Sequence, residues 1–357
     1  MSESVLDQAG SVREGEELDV KIITDYVKSK VPDVKGDAVI TQFPGGASNL
    51  TYSVKFDNKD YILRRPPFGT KAKSAHDMGR EYKVMSKLKP VYPYVPEMVD
   101  FCTDESVLGC EFYIMERLVG IIPRADMPKG VNLSPEQARQ LSINVIDRFA
   151  ELHNVDYKAA NLEDLGKGDG YVKRQIEGWS KRYGNAKTDD VPDYEKIMGW
   201  LHDNMPEQVK VVIIHNDYRM DNVVLSAQDP TEVIGVLDWE MATLGDPLMD
   251  LGNSLAYWVE ANDPPEHQFL RRQPTHLPGM LTRDEVIQRY CEKTGLNVDN
   301  FLFYHVYGIF RLGVILQQIY YRYYNGQTKD KRFASFGEMV KILESQCNAL
   351  LKEAGAL

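Results

Sequence analysis

One stretch constrains this chain more than any other: Val211-Val212-Ile213-Ile214-His215-Asn216-Asp217-Tyr218-Arg219-Met220-Asp221-Asn222. Val209 to Ile214 reads as a short apolar strand, and it delivers a loop carrying His, Asp and Asn. Val223 to Leu225 and Val233 to Leu237 read as two further short strands, the second ending in Asp238. A fold that joins these strand ends gathers two acids and an amide at one edge. Phosphoryl transfer needs such a set. An Asp accepts the proton of the attacking alcohol, while an Asn and a second Asp hold Mg²⁺, a hard cation that prefers oxygen ligands. Asp217 is then the base or orienting group, and Asn222 and Asp238 are the metal ligands. Arg219 can reach the transferred group and offset its charge.

The rest of the chain divides by pattern. Ala38 to Phe43 predicts a strand that Pro44-Gly45-Gly46 breaks. Leu50 to Phe56 alternates apolar and polar residues, and Tyr61 to Arg64 resumes after the turn cluster at 57–60, so the pair reads as a hairpin. Ser74 to Lys89 carries Met78, Tyr82, Met85 and Leu88 at helical spacing, and Glu111 to Leu118 is a further strand. Helices dominate thereafter. Ser134-Pro135-Glu136-Gln137 and Thr282-Arg283-Asp284-Glu285 are capping boxes, and Asn300 to Tyr324 is a long aromatic helix with Gly326 as its stop. The pattern predicts an α+β chain: a tail and helix over 1–35, a small sheet-rich lobe over 36–118, and a larger helical lobe over 119–357.

Composition narrows the classes. With 357 residues and 43 % hydrophobic content the chain can bury a full core. A net charge of −11 argues against nucleic acid as the main partner. Four cysteines form no C-x-x-C pair and read as reduced thiols. No G-x-x-x-x-G-K-[ST] occurs, which disfavours a P-loop enzyme. Residues 1–19 are polar and acidic, without the basic start and apolar stretch of a secretion signal, so a cytoplasmic location away from membranes is the expectation.

The pattern H-x-D-x-x-x-x-N, followed by an acid at a strand end, resembles the core of the protein-kinase-like fold. With Asp238-Trp239 and Gly245-Asp246-Pro247-Leu248-Met249-Asp250-Leu251, it is most similar to the aminoglycoside phosphotransferase and choline kinase group of small-molecule kinases. The resemblance implies a bilobed enzyme with an antiparallel-sheet N-lobe, using ATP and Mg²⁺ on a hydroxyl of a small molecule. It implies phosphate contact from the turn holding Gly45, Gly46, Ser48 and Asn49. Arg64 stands where such enzymes place a phosphate-holding Lys, a departure that changes a point charge to a planar fork. Arg65 is its rival. Glu81 matches the acid that pairs with that cation, and Met115, Glu116 and Leu118 match the connection that receives adenine through backbone groups. His215 and Asp250 match residues that brace the loop, and Asp246 before Pro247 reads as a helix N-cap. The Gly45-to-Asn49 turn, Leu63-Arg64-Arg65-Pro66-Pro67 and the terminal aromatic helix look most like one branch. That branch is the kinase-like N-terminal region of acyl-CoA dehydrogenase family members 10 and 11, with stand-alone bacterial relatives. It implies a hydroxy acid or hydroxyacyl-CoA as acceptor.

Alternatives stay open. Arg64 and Glu81 can be a solvated strand–helix pair. Arg311, on an apolar stretch, needs either a carboxylate of the fold or an anionic substrate. The Pro-rich segment 260–280, with Arg271 and Arg272, reads as a solvated loop or as a lid that contacts substrate phosphate or CoA. The Arg at position 64 also keeps a non-catalytic nucleotide-binding scaffold in play, and an aminoglycoside or amino-alcohol kinase is the rival enzyme. Only seven residues separate Asp238 from Asp246, too few for a peptide-docking loop. The oligomeric state is not legible in the sequence.

Overall fold

Strand periodicity places the two faces of the N-terminal sheet. The computed structural model describes residues 5–44, 49–68 and 77–356. The N-lobe contains α1 (Val20–Lys30), β1 (Val39–Gln42), β2 (Leu50–Lys55), β3 (Asp60–Arg65), α2 (Met78–Leu88), β4 (Met98–Cys102), α3 (Glu105–Leu108) and β5 (Phe112–Glu116). The five strands form one antiparallel sheet in the order β1-β2-β3-β5-β4. Tyr61 and Leu63 of β3 pack with Ile23 and Val27 of α1. Ile62 points to the opposite face and joins Met85, Tyr113 and Met115. The hairpin predicted across 57–60 is present, with Leu50 opposite Arg65.

The expected helix from Ser74 starts at Met78. Asp77 accepts a hydrogen bond from the Arg80 N–H at 2.9 Å and so caps the helix there. Residues 74–76 lie outside the described residues. Strand β4 has no clear signature in the sequence. Its register shifts between Met98 and Asp100, which blurs the two-residue alternation.

The C-lobe contains α4 (Pro135–His153), α5 (Tyr171–Ala186), α6 (Glu195–Asp203), β6 (Val212–Ile214), β7 (Val223–Leu225), β8 (Val233–Val236), β9 (Thr243–Gly245), α7 (Pro247–Leu255), α8 (Pro265–Gln268), α9 (Arg283–Thr294), α10 (Leu302–Tyr324) and α11 (Phe336–Glu353). Both capping boxes form as the sequence predicts, at Ser134 and Thr282. Gly326 follows α10 with φ +68°, the left-handed turn that ends it. The strands pair as two short ladders, β6 with β9 and β7 with β8. Strand β9 is only three residues long and is not predicted by pattern.

Glycines set the crossing of α7 and α10. A Cβ on Gly308 of α10 would lie 2.0 Å from the Gly252 carbonyl oxygen of α7. Bare backbone there lets α10 sit directly under the helix that carries Asp250. This is the α+β bilobed arrangement the sequence predicts. Among the described residues no helix is long and apolar enough to cross a membrane.

Candidate active site

Strand β6 ends at Ile214 and hands the chain to a loop that the C-lobe holds from below. The Asp250 carboxylate, fully buried on α7, accepts the N–H groups of His215 at 2.8 Å and Asn216 at 2.9 Å. Asn216 adopts φ +65°, a conformation Asn tolerates better than most residues. Its side chain accepts from Tyr171 at 3.0 Å and donates to the Met241 carbonyl at 3.1 Å. Arg311 donates to the Asn216 carbonyl at 2.9 Å and stacks on Trp179. His215 is fully buried, and burial pushes its pKa down. Its Nε2 bonds the Leu237 carbonyl at 2.9 Å while Nδ1 accepts the Asp217 N–H, which assigns the neutral tautomer. The ring is committed to bracing the loop.

Asp217 follows with a partly exposed side chain. Its Oδ2 accepts from Arg219 and from Asn222 Nδ2, each at 3.1 Å. No described residue bonds its Oδ1. Asn222 also donates to the Asp217 carbonyl at 2.8 Å. Its Nδ2 is thus committed to Asp217, and the residue lines the cleft between the lobes. Arg219 stacks on Tyr257 at 4.5 Å and reaches Asp221 at 3.3 Å. Burial works against its charge, but Tyr257, Asp217 and Asp221 more than offset that and hold its pKa above the ordinary value. Burial likewise pushes the Asp221 carboxyl up.

From the other side, β3 presents Arg64. It pairs with Glu81 of α2 at 2.6 Å, with Asp238 at 3.3 Å and with Glu240 at 3.4 Å. Burial raises the Glu81 pKa while Arg64 pulls it back. The pair is buried, Arg64 at 9 % and Glu81 at 2 % exposure, so the reading of a solvated surface pair is corrected. The alternation of β3 separates Arg64 from its rival. Arg65 lies on the face of Tyr61 and Leu63, bonds the Leu108 carbonyl and covers Phe68. Asp238 sits at φ +67° just beyond β8, where the Asn222 carbonyl accepts the Leu237 N–H at 2.8 Å.

Between the lobes lies a cleft of about 220 Å³. Ile62, Met85, Tyr113, Met115, Leu118 and Leu237 give it apolar walls, and Arg64, Glu81, Asn222 and Asp238 are among its polar lining. Glu116 also lines it. Asn49 donates to Glu240 at 3.2 Å. Gly45, Gly46 and Ser48 lie outside the described residues. Among the described residues no group of three His, Cys, Asp or Glu side chains forms a metal cluster. One carboxylate and one amide oxygen fit Mg²⁺, which takes its other ligands from phosphates and water.

The remaining predicted residues are placed elsewhere. Arg311 is buried under the loop, bonded to backbone rather than to a carboxylate or an open pocket. Asp246 caps α7 through the N–H groups of Leu248 and Met249, and also binds the Val209 N–H. Arg271 pairs with Asp126 at 2.9 Å, and Arg272 is exposed. The Pro-rich segment is pinned rather than loose. Buried Gln273 accepts the Met220 N–H at 2.9 Å and donates to the Tyr257 carbonyl, and Thr275 donates to the Val259 carbonyl. Sequence reasoning missed Asn216, Gln273 and His153, whose Nε2 lies 3.2 Å from Asp250.

A two-lobed α+β frame with an H-x-D loop and an acid across one cleft is the protein-kinase-like phosphotransferase architecture. Residues 39–284 match the phosphotransferase enzyme family, and the chain belongs to that family. Acyl-CoA dehydrogenase family member 10 of Mus musculus is 34 % identical over 310 residues, 86 % of this chain and 29 % of that protein. Family member 11 of Homo sapiens is 34 % identical over 308 residues, 85 % of this chain and 39 % of that protein. The chain thus spans well under half the length of these relatives. A solved Ralstonia eutropha protein, assigned to the aminoglycoside phosphotransferases, superposes with a TM-score of 0.81 at 28 % identity, covering 94 % of this chain and 99 % of that one. Choline kinase of Cryptosporidium parvum superposes at 0.65 with 13 % identity, covering 95 % and 98 %, a likeness of fold alone.

Proposed function

We propose that this chain uses ATP and Mg²⁺ to phosphorylate a hydroxyl group of a hydroxy acid or hydroxyacyl-CoA thioester. The observation that carries the reading is that Arg64, Asn222 and Asp238 line one cleft with apolar walls while Asp217 accepts a hydrogen bond from Asn222 at 3.1 Å. Asp217 orients the acceptor hydroxyl and takes its proton at Oδ1. Asn222 and Asp238 would hold Mg²⁺, and Arg64 would hold phosphate oxygens, with the Gly-rich sequence at 45–49 as a further candidate. Mg²⁺–ATP supplies the phosphoryl group and part of the charge neutralisation. Arg219 is placed to offset charge that builds beside Asp217. The apolar walls and the backbone of Met115 to Leu118 suit a purine base. The acyl class of the acceptor draws support from the names of the two mammalian relatives.

A second reading, an inert nucleotide binder, draws on one contact: Arg64 is paired with Asp238, the residue assigned to the metal. ADP release from Mg²⁺–ATP tests both. One pool of acceptors holds hydroxy acids and hydroxyacyl-CoA thioesters; the other holds aminoglycosides, amino alcohols and sugars. Release in the first pool alone supports the proposal. Release in the second alone replaces the acceptor class, and binding of ATP with no release in either favours the inert binder.

A further inference from the structure

Part of the cleft's outer wall comes from a segment remote from it in sequence. Asp7 lines the mouth beside Arg117, Leu118, Ile122 and Arg124. Its N–H donates to the Gly120 carbonyl at 3.3 Å, and its own carbonyl accepts from Arg117 at 2.6 Å. Its carboxylate pairs with Arg124 at 3.2 Å. Just before it, Val5 is buried beside Val131, and Leu6 packs against the same core cluster. Val5, Leu6 and Asp7 thus lie beside 122–130 of the C-lobe, while Arg117 also holds Asp60 of β3 at 2.8 Å.

Three residues after Asp7 the chain reaches the other lobe. Gly10 exchanges both backbone hydrogen bonds with Gln42 of β1, at 2.9 and 3.0 Å. The Gln42 side chain accepts the Arg13 N–H at 2.9 Å and donates to Glu16 at 2.6 Å. Tyr52 donates to the Glu16 carbonyl at 2.8 Å, and Val12 and Leu18 join the N-lobe core. From Asp7 to Gly10 the chain can span about 10 Å at full extension. Motion that carries 122–130 away from β1 is therefore resisted until one of the two anchors lets go.

We infer that segment 5–18 is an interlobe strap whose Asp7 contacts the bound nucleotide, so that nucleotide occupancy and strap docking reinforce each other. The inference rests on the cleft being a nucleotide site. Coupling of this kind is reciprocal: whatever the docked strap adds to nucleotide affinity, bound nucleotide adds to strap docking. Escape of the nucleotide needs the lobes to open, and opening needs a released anchor. The strap then sets the rate of product release rather than the chemistry.

Amide hydrogen exchange on the wild-type chain, with and without saturating Mg²⁺–ATP, tests this directly. The strap predicts slowed exchange at 5–13 and 41–43 together with the cleft strands at 62–65 and 113–118. ADP dissociation gives the second readout. Gly10→Pro removes the N–H that bonds Gln42 and is expected to speed ADP release about three- to tenfold, the range one net hydrogen bond supplies. Asp7→Ala is expected to weaken ADP binding by a similar factor. Protection at 113–118 with none at 5–13 overturns the strap and leaves the nucleotide reading standing. Protection nowhere overturns both. Unchanged ADP release in a folded Gly10→Pro variant also overturns the strap, and if that variant does not fold, the wild-type exchange data decide alone.

Discussion

The loop from His215 to Asn222 and the cation on β3 face each other across the cleft, and they are held in opposite ways. The loop exchanges hydrogen bonds with α4 through Tyr218, α5 through Tyr171, α7 through Asp250 and α10 through Arg311. Each bond fixes a backbone group or a buried side chain, which leaves little freedom at Asp217. Arg64 has one firm partner, Glu81 at 2.6 Å, while its other end reaches Asp238 and Glu240 at 3.3 and 3.4 Å. A guanidinium offers separate edges, so one can stay on Glu81 while the other trades carboxylates for phosphate oxygens. In the proposed reaction the acceptor side would thus be preorganised, as electrostatic catalysis requires, and the nucleotide side would rearrange on filling.

Variants can break this comparison. The largest stability effect falls on Asp250→Ala. It strands two buried N–H groups and the Nε2 of His153, and unfolding stability should drop by about 3–5 kcal/mol in urea titrations. A loss below about 1 kcal/mol would mean the loop is not held from α7.

Acid should act next. Burial lowers the pKa of His305 to about 4 and also lowers that of His215. Between about pH 6.5 and those lowered values the unfolded chain binds protons that the native chain does not. Stability is therefore present above about pH 6.5 and is lost as pH falls through the window. His305 alone contributes about 3 kcal/mol by pH 4. Urea midpoints measured from pH 7.5 to 4.5 should fall, and His305→Gln should flatten the slope. A slope that His305→Gln leaves unchanged would remove that group from the account.

The smallest stability effect belongs to the nucleotide face. Asp238→Ala removes a long, partly exposed pair and should change stability by about 0–1 kcal/mol. The same variant should lose the thermal stabilisation that Mg²⁺–ATP gives the wild type. Retained stabilisation would remove Asp238 from the metal site.

What the sequence shows and hides follows from distance along the chain. His215, Asp217, Asn222 and Asp238 are legible because a loop and the end of the following strand pair carry them in fixed spacing. The capping boxes are legible because a cap is a local event. Arg64 and Arg65 are indistinguishable by residue type, and only the pleat of β3 separates them. The partners of the loop lie far away: Asp250 meets Asn216 across 34 positions, Gln273 meets Met220 across 53 and Arg311 meets Asn216 across 95. No local pattern encodes such meetings. Arg311 therefore reads as a candidate anion contact in sequence and becomes a backbone brace in the fold. The Pro-rich segment reads as loose for the same reason, since one buried Gln and one Thr are what pin it.

Transfer of labelled γ-phosphate from Mg²⁺–ATP to a hydroxylated small molecule, compared between the wild type and Asp217→Asn, tests the central claim most directly. The account predicts transfer by the wild type, a fall of about 10²- to 10⁴-fold in the variant, and nucleotide affinity nearly equal in both. Equal transfer rates in the two proteins would contradict it.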